Sequence, residues 1–169
     1  QQLKSLRLRS GKNVTDIASL ANLTELTEFR LQNSGGAGGA GEITDISALA
    51  HLTKLTELHL DGCKKLTETS PIANLPALQE VHLSGCNSLA SLPELANLPE
   101  LQTLSLSGCH SLTEIPALAN LPALQEIHLS GCHSLGNVDN LRGAKHLEKL
   151  AIRDSQVPLD MTPIGALKG

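Results

Sequence analysis

Residues 75–97 read LPALQEVHLSGCNSLASLPELAN, residues 98–120 read LPELQTLSLSGCHSLTEIPALAN, and residues 121–143 read LPALQEIHLSGCHSLGNVDNLRG. The unit before them, 52–74, is LTKLTELHLDGCKKLTETSPIAN. A period of 23 residues, repeated in register, is too short for each unit to build a core of its own. Its apolar side chains must be buried against the next copy, which predicts a stacked solenoid. Within one unit, apolar Val81 and Leu83 alternate with polar Glu80, His82 and Ser84. That period of two marks a short strand with one face inward. Copies stacked sideways form a parallel sheet, and parallel strands require a crossover between them. The crossover carries Leu89, Leu92, Leu95 and Leu98. It is too short for a long helix, so 3-10 or one- to two-turn segments are expected on the outer face. Pro93 and Pro116 suit the first position of such turns, where a missing N–H costs nothing. Pro76, Pro99 and Pro122 should stop them before the next strand.

Working outward, the first strand leucines fall at Leu3, Leu26, Leu55, Leu78, Leu101, Leu124 and Leu147. Every step is 23 residues except Leu26 to Leu55, which is 29 and holds the Gly-rich insertion 33–41. The expected fold is one α/β solenoid domain over 1–169, a right-handed superhelix of about seven rungs. These rungs lie near 1–22, 23–51, 52–74, 75–97, 98–120, 121–143 and 144–169, with a parallel sheet on the concave face and short turns on the convex face. The end rungs of such a stack need covering, by flanking chain or by another molecule in end-to-end self-association. No Met begins the sequence, and Gln1 falls almost on the first strand, so the chain reads as a segment of a longer protein.

Composition narrows the function. The sequence has one Phe and no Trp or Tyr, so aliphatic side chains must fill the interior. Net charge is −4, distributed as +2 over 1–40, −7 over 41–130 and +1 over 131–169. An acidic middle argues against a nucleic-acid partner, whose phosphates need a basic stripe. No apolar run approaches the ~20 residues that cross a bilayer, so membrane insertion is not expected. The Gly-rich insertion is followed by no Lys-Ser/Thr and resembles no phosphate-binding loop. No paired carboxylates or Ser/His/Asp set stands apart from the repeat, so the chain reads as no enzyme, with no cofactor.

Cys63, Cys86, Cys109 and Cys132 occupy one rung position at intervals of 23. Zinc sites of the CxxC type need close pairs, which this spacing excludes. Four equivalent copies imply a structural role, in which an inward thiol meets backbone groups at the turn and acts as a small buried hydrophobe. The alternative is a disulfide between adjacent rungs, since ~4.8 Å between strands lies within the accepted Cα separation.

The outward side chains form columns. One runs Arg7, Arg30, His59, His82, Ser105, His128, Ala151. Its neighbour runs Ser5, Glu28, Glu57, Glu80, Thr103, Glu126, Lys149, and a third runs Arg9, Gln32, Asp61, Ser84, Ser107, Ser130, Arg153. A His column beside a Glu column could bind a metal or respond to pH. The plainer reading is that duplication copied one His and one Glu, and no metal is assigned. The same face is the expected partner-binding surface, through Arg7, Arg9, Arg30, Glu28, Glu57, His59, Glu80, His82, Glu126 and His128. Interface hot spots favour Trp, Tyr and Arg. With no aromatics here, the strongest anchor is expected at Arg7, Arg9 and Arg30. His110 and His133, with Lys64 and Asn87, read as variable polar residues in a solvated turn.

The frame L-x-x-L-x-L-x-x-N/C resembles leucine-rich repeats. Two flavours meet in it. The stretches 13–23 (NVTDIASLANL) and 43–52 (ITDISALAHL) resemble internalin repeats of bacterial surface proteins. The stretch Leu-Ser-Gly-Cys-x-Ser-Leu-x-x-Leu/Ile-Pro at 83–93 and 106–116 resembles plant intracellular immune receptors and the repeat domains of secreted effectors from plant-pathogenic bacteria. The resemblance implies protein recognition through the concave sheet, by part of a larger bacterial protein. Two alternatives stand beside this: a structural spacer or self-associating segment, and the substrate-recruiting domain of an effector, such as a ubiquitin ligase, whose enzymatic domain lies elsewhere. Free buried thiols favour a reducing cytoplasm, bacterial or, for an effector, the host's.

Overall fold

The computed structural model describes residues 2–9, 14–32, 43–154 and 162. The Gly-rich insertion and the apolar segment at 164–167 lie outside the described residues. Among the described residues, seven strands form one parallel sheet in chain order: β1 (Ser5–Arg9), β2 (Glu28–Gln32), β3 (Glu57–His59), β4 (Glu80–His82), β5 (Thr103–Ser105), β6 (Glu126–His128) and β7 (Lys149–Ala151). This is the solenoid that the 23-residue period predicts. The register sets Arg7 beside Arg30, Arg30 beside His59, His59 beside His82, His82 beside Ser105, and Ser105 beside His128. The first two outward columns are therefore aligned as the sequence pattern places them.

Inward, Phe29, Leu58, Val81, Leu104 and Ile127 stack from rung to rung, each 0–1% exposed. With the crossover leucines they make one continuous aliphatic core. Leu3, in the first rung, is 46% exposed whereas Leu26 in the second is fully buried. Burial here comes from neighbouring rungs, so a rung with one neighbour buries less. The pairing runs past the strands into the turns, where the N–H of Gly85 donates to Ser107 O at 2.8 Å and that of Gly108 to Ser130 O at 2.8 Å. Gly85 has φ +73, a left-handed conformation that a Cβ would penalise.

All four cysteines are buried, and none is linked in a disulfide. Cys86, Cys109 and Cys132 each donate Sγ–H to a carbonyl of the preceding rung, Leu60 at 3.4 Å, Leu83 at 3.2 Å and Leu106 at 3.1 Å. Burial pushes the Cys63 and Cys109 thiols up to about 12 and raises those of Cys86 and Cys132 as well. Such thiols are poor nucleophiles. The column lies inward, buried at the turns, where its repetition places it.

The crossovers fall into two kinds. Among the described residues, 3-10 helices span Ala18–Asn22, Ser47–His51, Ser70–Asn74 and Asp139–Gly143. The segments at 91–95 and 115–118 carry none, which corrects the expectation that Pro93 and Pro116 open such turns. Two causes act together. The residue before each 3-10 helix has ψ between 15 and 19, as in Ile17, Ile46, Thr69 and Val138. Leu92 and Ile115 precede proline, which pushes ψ towards ~+120 to +160°. Each 3-10 helix is also held by a side chain that accepts the N–H two residues on: Asp16 from Ala18 at 2.6 Å, Asp45 from Ser47 at 2.7 Å, Glu68 from Ser70 at 2.7 Å, and Asn137 from Asp139 at 2.7 Å. In the other two rungs the donor would be Pro93 or Pro116, which has no N–H. Pro76, Pro99 and Pro122 do occupy tight turns before the strands, closed for example by Leu78 N–H to Leu75 O at 3.1 Å.

Candidate functional site on the concave sheet

Three clusters of polar side chains lie along the concave face. At the N-terminal end, Glu28 is the hub. It accepts Ser5 Oγ–H at 2.7 Å, Arg7 Nε at 2.7 Å and Nη2 at 3.2 Å, and also Arg30 Nε. Arg30 reaches on to Glu57 at 2.5 Å. The Arg7 guanidinium, with Ser5 and Arg30, holds the Glu28 carboxyl well below its usual range, at about 2. Arg7, Leu8, Arg9, Arg30 and Gln32 line a shallow recess of about 120 Å³. The Arg7 and Arg30 charges that the sequence marks as anchors are thus already engaged within the sheet, while Arg9 is exposed on the edge strand.

In the middle, the His59 and His82 rings stack face to face, with centroids 4.1 Å apart and planes within 5°. The sequence pattern treats this column as exposed, yet His59 is only 6% exposed and Ser105 only 8%. The neighbouring ring and the flanking columns cover a side chain that the alternation alone assigns to solvent. His59 Nδ1 lies 3.9 Å from Asp61, and Asp61 accepts the Ser84 N–H at 2.9 Å. Burial alone would raise the Asp61 carboxyl, but the His59 contact and the Ser84 N–H outweigh it and the net shift is downward. His82 is pushed below its usual range by burial, then by the neighbouring His59. Glu80 Oε2 lies 3.5 Å from His82 Nε2.

At the C-terminal end, Glu126 pairs with Lys149 at 3.2 Å and with His128 at 3.3 Å, which lowers its carboxyl. All ten residues predicted for the binding face belong to this sheet, but in separate clusters rather than one centre. Asp61 is the functional candidate missing from that predicted set. Its signal was the lone acidic residue in an otherwise Ser-rich third column. His110 and His133, expected merely to be solvated, stack at 4.7 Å.

The pattern described as "Leucine Rich repeats (2 copies)" matches residues 76–120 and again 99–143. The structure of an internalin C2 from Listeria monocytogenes superposes with a TM-score of 0.69 at 26% identity, covering 98% of this chain and 68% of that one. An internalin (InlF) from the same organism gives 0.37 at 20% identity, over 91% of this chain and 62% of that one. A plant peptide hormone receptor, RGFR1 in complex with RGF2, gives 0.46 at 18% identity over 99% of this chain and 36% of that one. No curated protein matches the chain. Repeat, sheet and convex turns define a leucine-rich repeat solenoid. Residues 76–143 carry the leucine-rich repeat pattern, and the fold is a leucine-rich repeat solenoid like that of internalin C2.

Proposed function

We propose that the chain is a non-enzymatic protein-interaction module that binds its partner across the concave sheet, within a larger bacterial protein. The observation that carries this is the sheet itself: seven strands in register present aligned columns of Arg, Glu and His side chains on one face. A continuous polar surface of fixed spacing suits an extended partner, with charge complementarity setting specificity. Its family resemblance to internalins supports the reading. Among the described residues no helix is long and apolar enough to cross a membrane.

A second reading, the rigid spacer, is favoured by the similarity of residues 75–97 and 98–120, identical at 14 of 23 positions, and by the internal pairing of Arg7 and Arg30. A third, the recruiting domain of a secreted effector whose enzymatic part lies elsewhere, uses the same surface. Peptides selected by display against the intact chain test the primary reading. Reversing charge on the concave face, with Glu126→Arg and Lys149→Glu, should weaken them about tenfold or more, whereas Glu94→Arg on the outer face should not. Equal effects from both faces, or a concentration-dependent dimer by light scattering with no peptide selected, would favour the spacer.

A further inference from the structure

We propose that His59, His82 and Glu80 form a binding site for a borderline transition-metal dication, Zn²⁺ being the reference ion, with Asp61 orienting His59. The three side chains each offer a ligand atom within 4.8 Å of the other two, and they are the one such group of three among the described residues. The register builds it. His59 and His82 are partners across β3 and β4, and Glu80 lies two residues before His82, on the same face of the strand.

Burial points to a ligand. His59 is one of only three buried polar residues among those described. Its Nε2 and the Nε2 of His82 are both buried and have no hydrogen-bond partner. An orphaned polar atom in a covered position costs stability, so its retention calls for an explanation. Asp61 supplies the rest of the arrangement. Its carboxylate lies 3.9 Å from His59 Nδ1, anchored by the Ser84 N–H, and a small closure onto the ring on metal binding would hold the proton on Nδ1. That leaves the Nε2 lone pair free, the carboxylate–histidine arrangement found behind metal ligands.

Zn²⁺ takes nitrogen at ~2.0–2.1 Å and carboxylate oxygen at ~2.0–2.2 Å in a tetrahedron. The donors must therefore draw together slightly and the stacked rings must turn about χ2. Glu80, with its side chain 45% exposed, is free to swing in. Three protein ligands leave the fourth position open to water or to a side chain from outside. Other charges facing the site are already committed, since Arg30 is held by Glu28 and Glu57. The rung after it carries Ser105 in place of His, so no third imidazole competes. His128 has one carboxylate neighbour, Glu126, but Ser105 and Ala151 on either side. The His110–His133 pair lies in the turns after Cys109 and Cys132 and, among the described residues, belongs to no group of three.

The test is calorimetric titration of the intact chain with ZnCl₂ at neutral pH. We expect one ion per chain with micromolar affinity, loss of binding in His82→Gln, and about tenfold weakening in Asp61→Asn. The double variant His110→Gln, His133→Gln should bind as the parent does. Because substituting a half-buried ring could disturb the fold, imidazole nitrogen and carbon-bound proton NMR signals of the unaltered protein provide a second readout. Zn²⁺ should shift those of His59 and His82 and leave those of His110 and His133 in place. Absence of heat, binding undiminished in a folded His82→Gln variant, or shifts confined to other histidines would each overturn the site.

Discussion

The rungs at 52–74 and 98–120 share a strand, a glycine turn and a buried cysteine, yet their outer faces differ. The first closes its crossover with a 3-10 helix at Ser70–Asn74; the second passes Pro116 without one. In the 3-10 rungs the first turn carbonyl is used within the rung, as when Ile72 N–H donates to Thr69 O at 3.0 Å. In the Pro116 rung the equivalent carbonyl, Ile115 O, instead accepts Asn140 Nδ2–H at 2.7 Å from the following rung. The loss of a local hydrogen bond is offset by one between rungs. Glu114 also forms a bridge with Asn137, and Thr113 N–H donates to Ala90 O at 3.1 Å. A stacked repeat thus tolerates a change in one turn because the neighbouring rung can satisfy the orphaned group, which an isolated turn could not do.

If neighbouring rungs compensate in this way, the largest effect should come from forcing one kind of rung into the other. Ser47→Pro removes the N–H that Asp45 accepts and drives Ile46 from its φ −119, ψ 19, with no inter-rung donor arranged to compensate. We expect a loss of about 2 kcal/mol in urea denaturation, against a change within about 0.5 kcal/mol for Pro116→Ala. Comparable losses in both would break the comparison.

A smaller effect should follow from removing the compensating donor. Asn140→Ala leaves the Ile115 carbonyl without its partner and should cost about 1 kcal/mol, with faster hydrogen exchange around the Pro116 crossover. A neutral substitution would show that water serves that carbonyl equally well.

The smallest effect is pH-dependent. The Ser47 backbone N–H, then its side chain, holds the Asp45 carboxyl below its ordinary value of 3.8. A carboxyl whose folded pKa is depressed stabilises the fold above the unfolded value and loses that contribution as pH falls through the folded one. Asp45→Ala should therefore lower the urea midpoint at neutral pH, and the gap should close well below pH 3.8. Ser91→Ala, at the matching position before Pro93, should show no gap at any pH. A persistent gap at low pH would mean that the carboxylate is not the stabilising group.

Much of this was legible from spacing. The column register of Arg7, Arg30, His59 and His82 follows from counting 23-residue steps and one 29-residue step, because strand alternation allows only one face for each residue. The inward Cys column was legible for the same reason. The 3-10 helices were anticipated as a class but misassigned in two rungs. What decides them is present in the sequence: Asp16, Asp45, Glu68 or Asn137 with an N–H donor two residues on, which Pro93 and Pro116 lack. The internal pairing of Arg7 and Arg30 with Glu28 was not legible, since it depends on rotamers that reach between columns.

By itself, then, the sequence determined the period, the stacking direction and which side chains share a face, because those properties are set by backbone geometry that repeats with the chain. Only the tertiary structure decided that His59 is buried against His82, that two of the N-terminal arginines are spent on Glu28 and Glu57, and that Asn140 rescues the Ile115 carbonyl. Each of these depends on side chains from different rungs meeting at a few ångströms. Burial, charge pairing and hydrogen-bond satisfaction are properties of that meeting and of no single repeat.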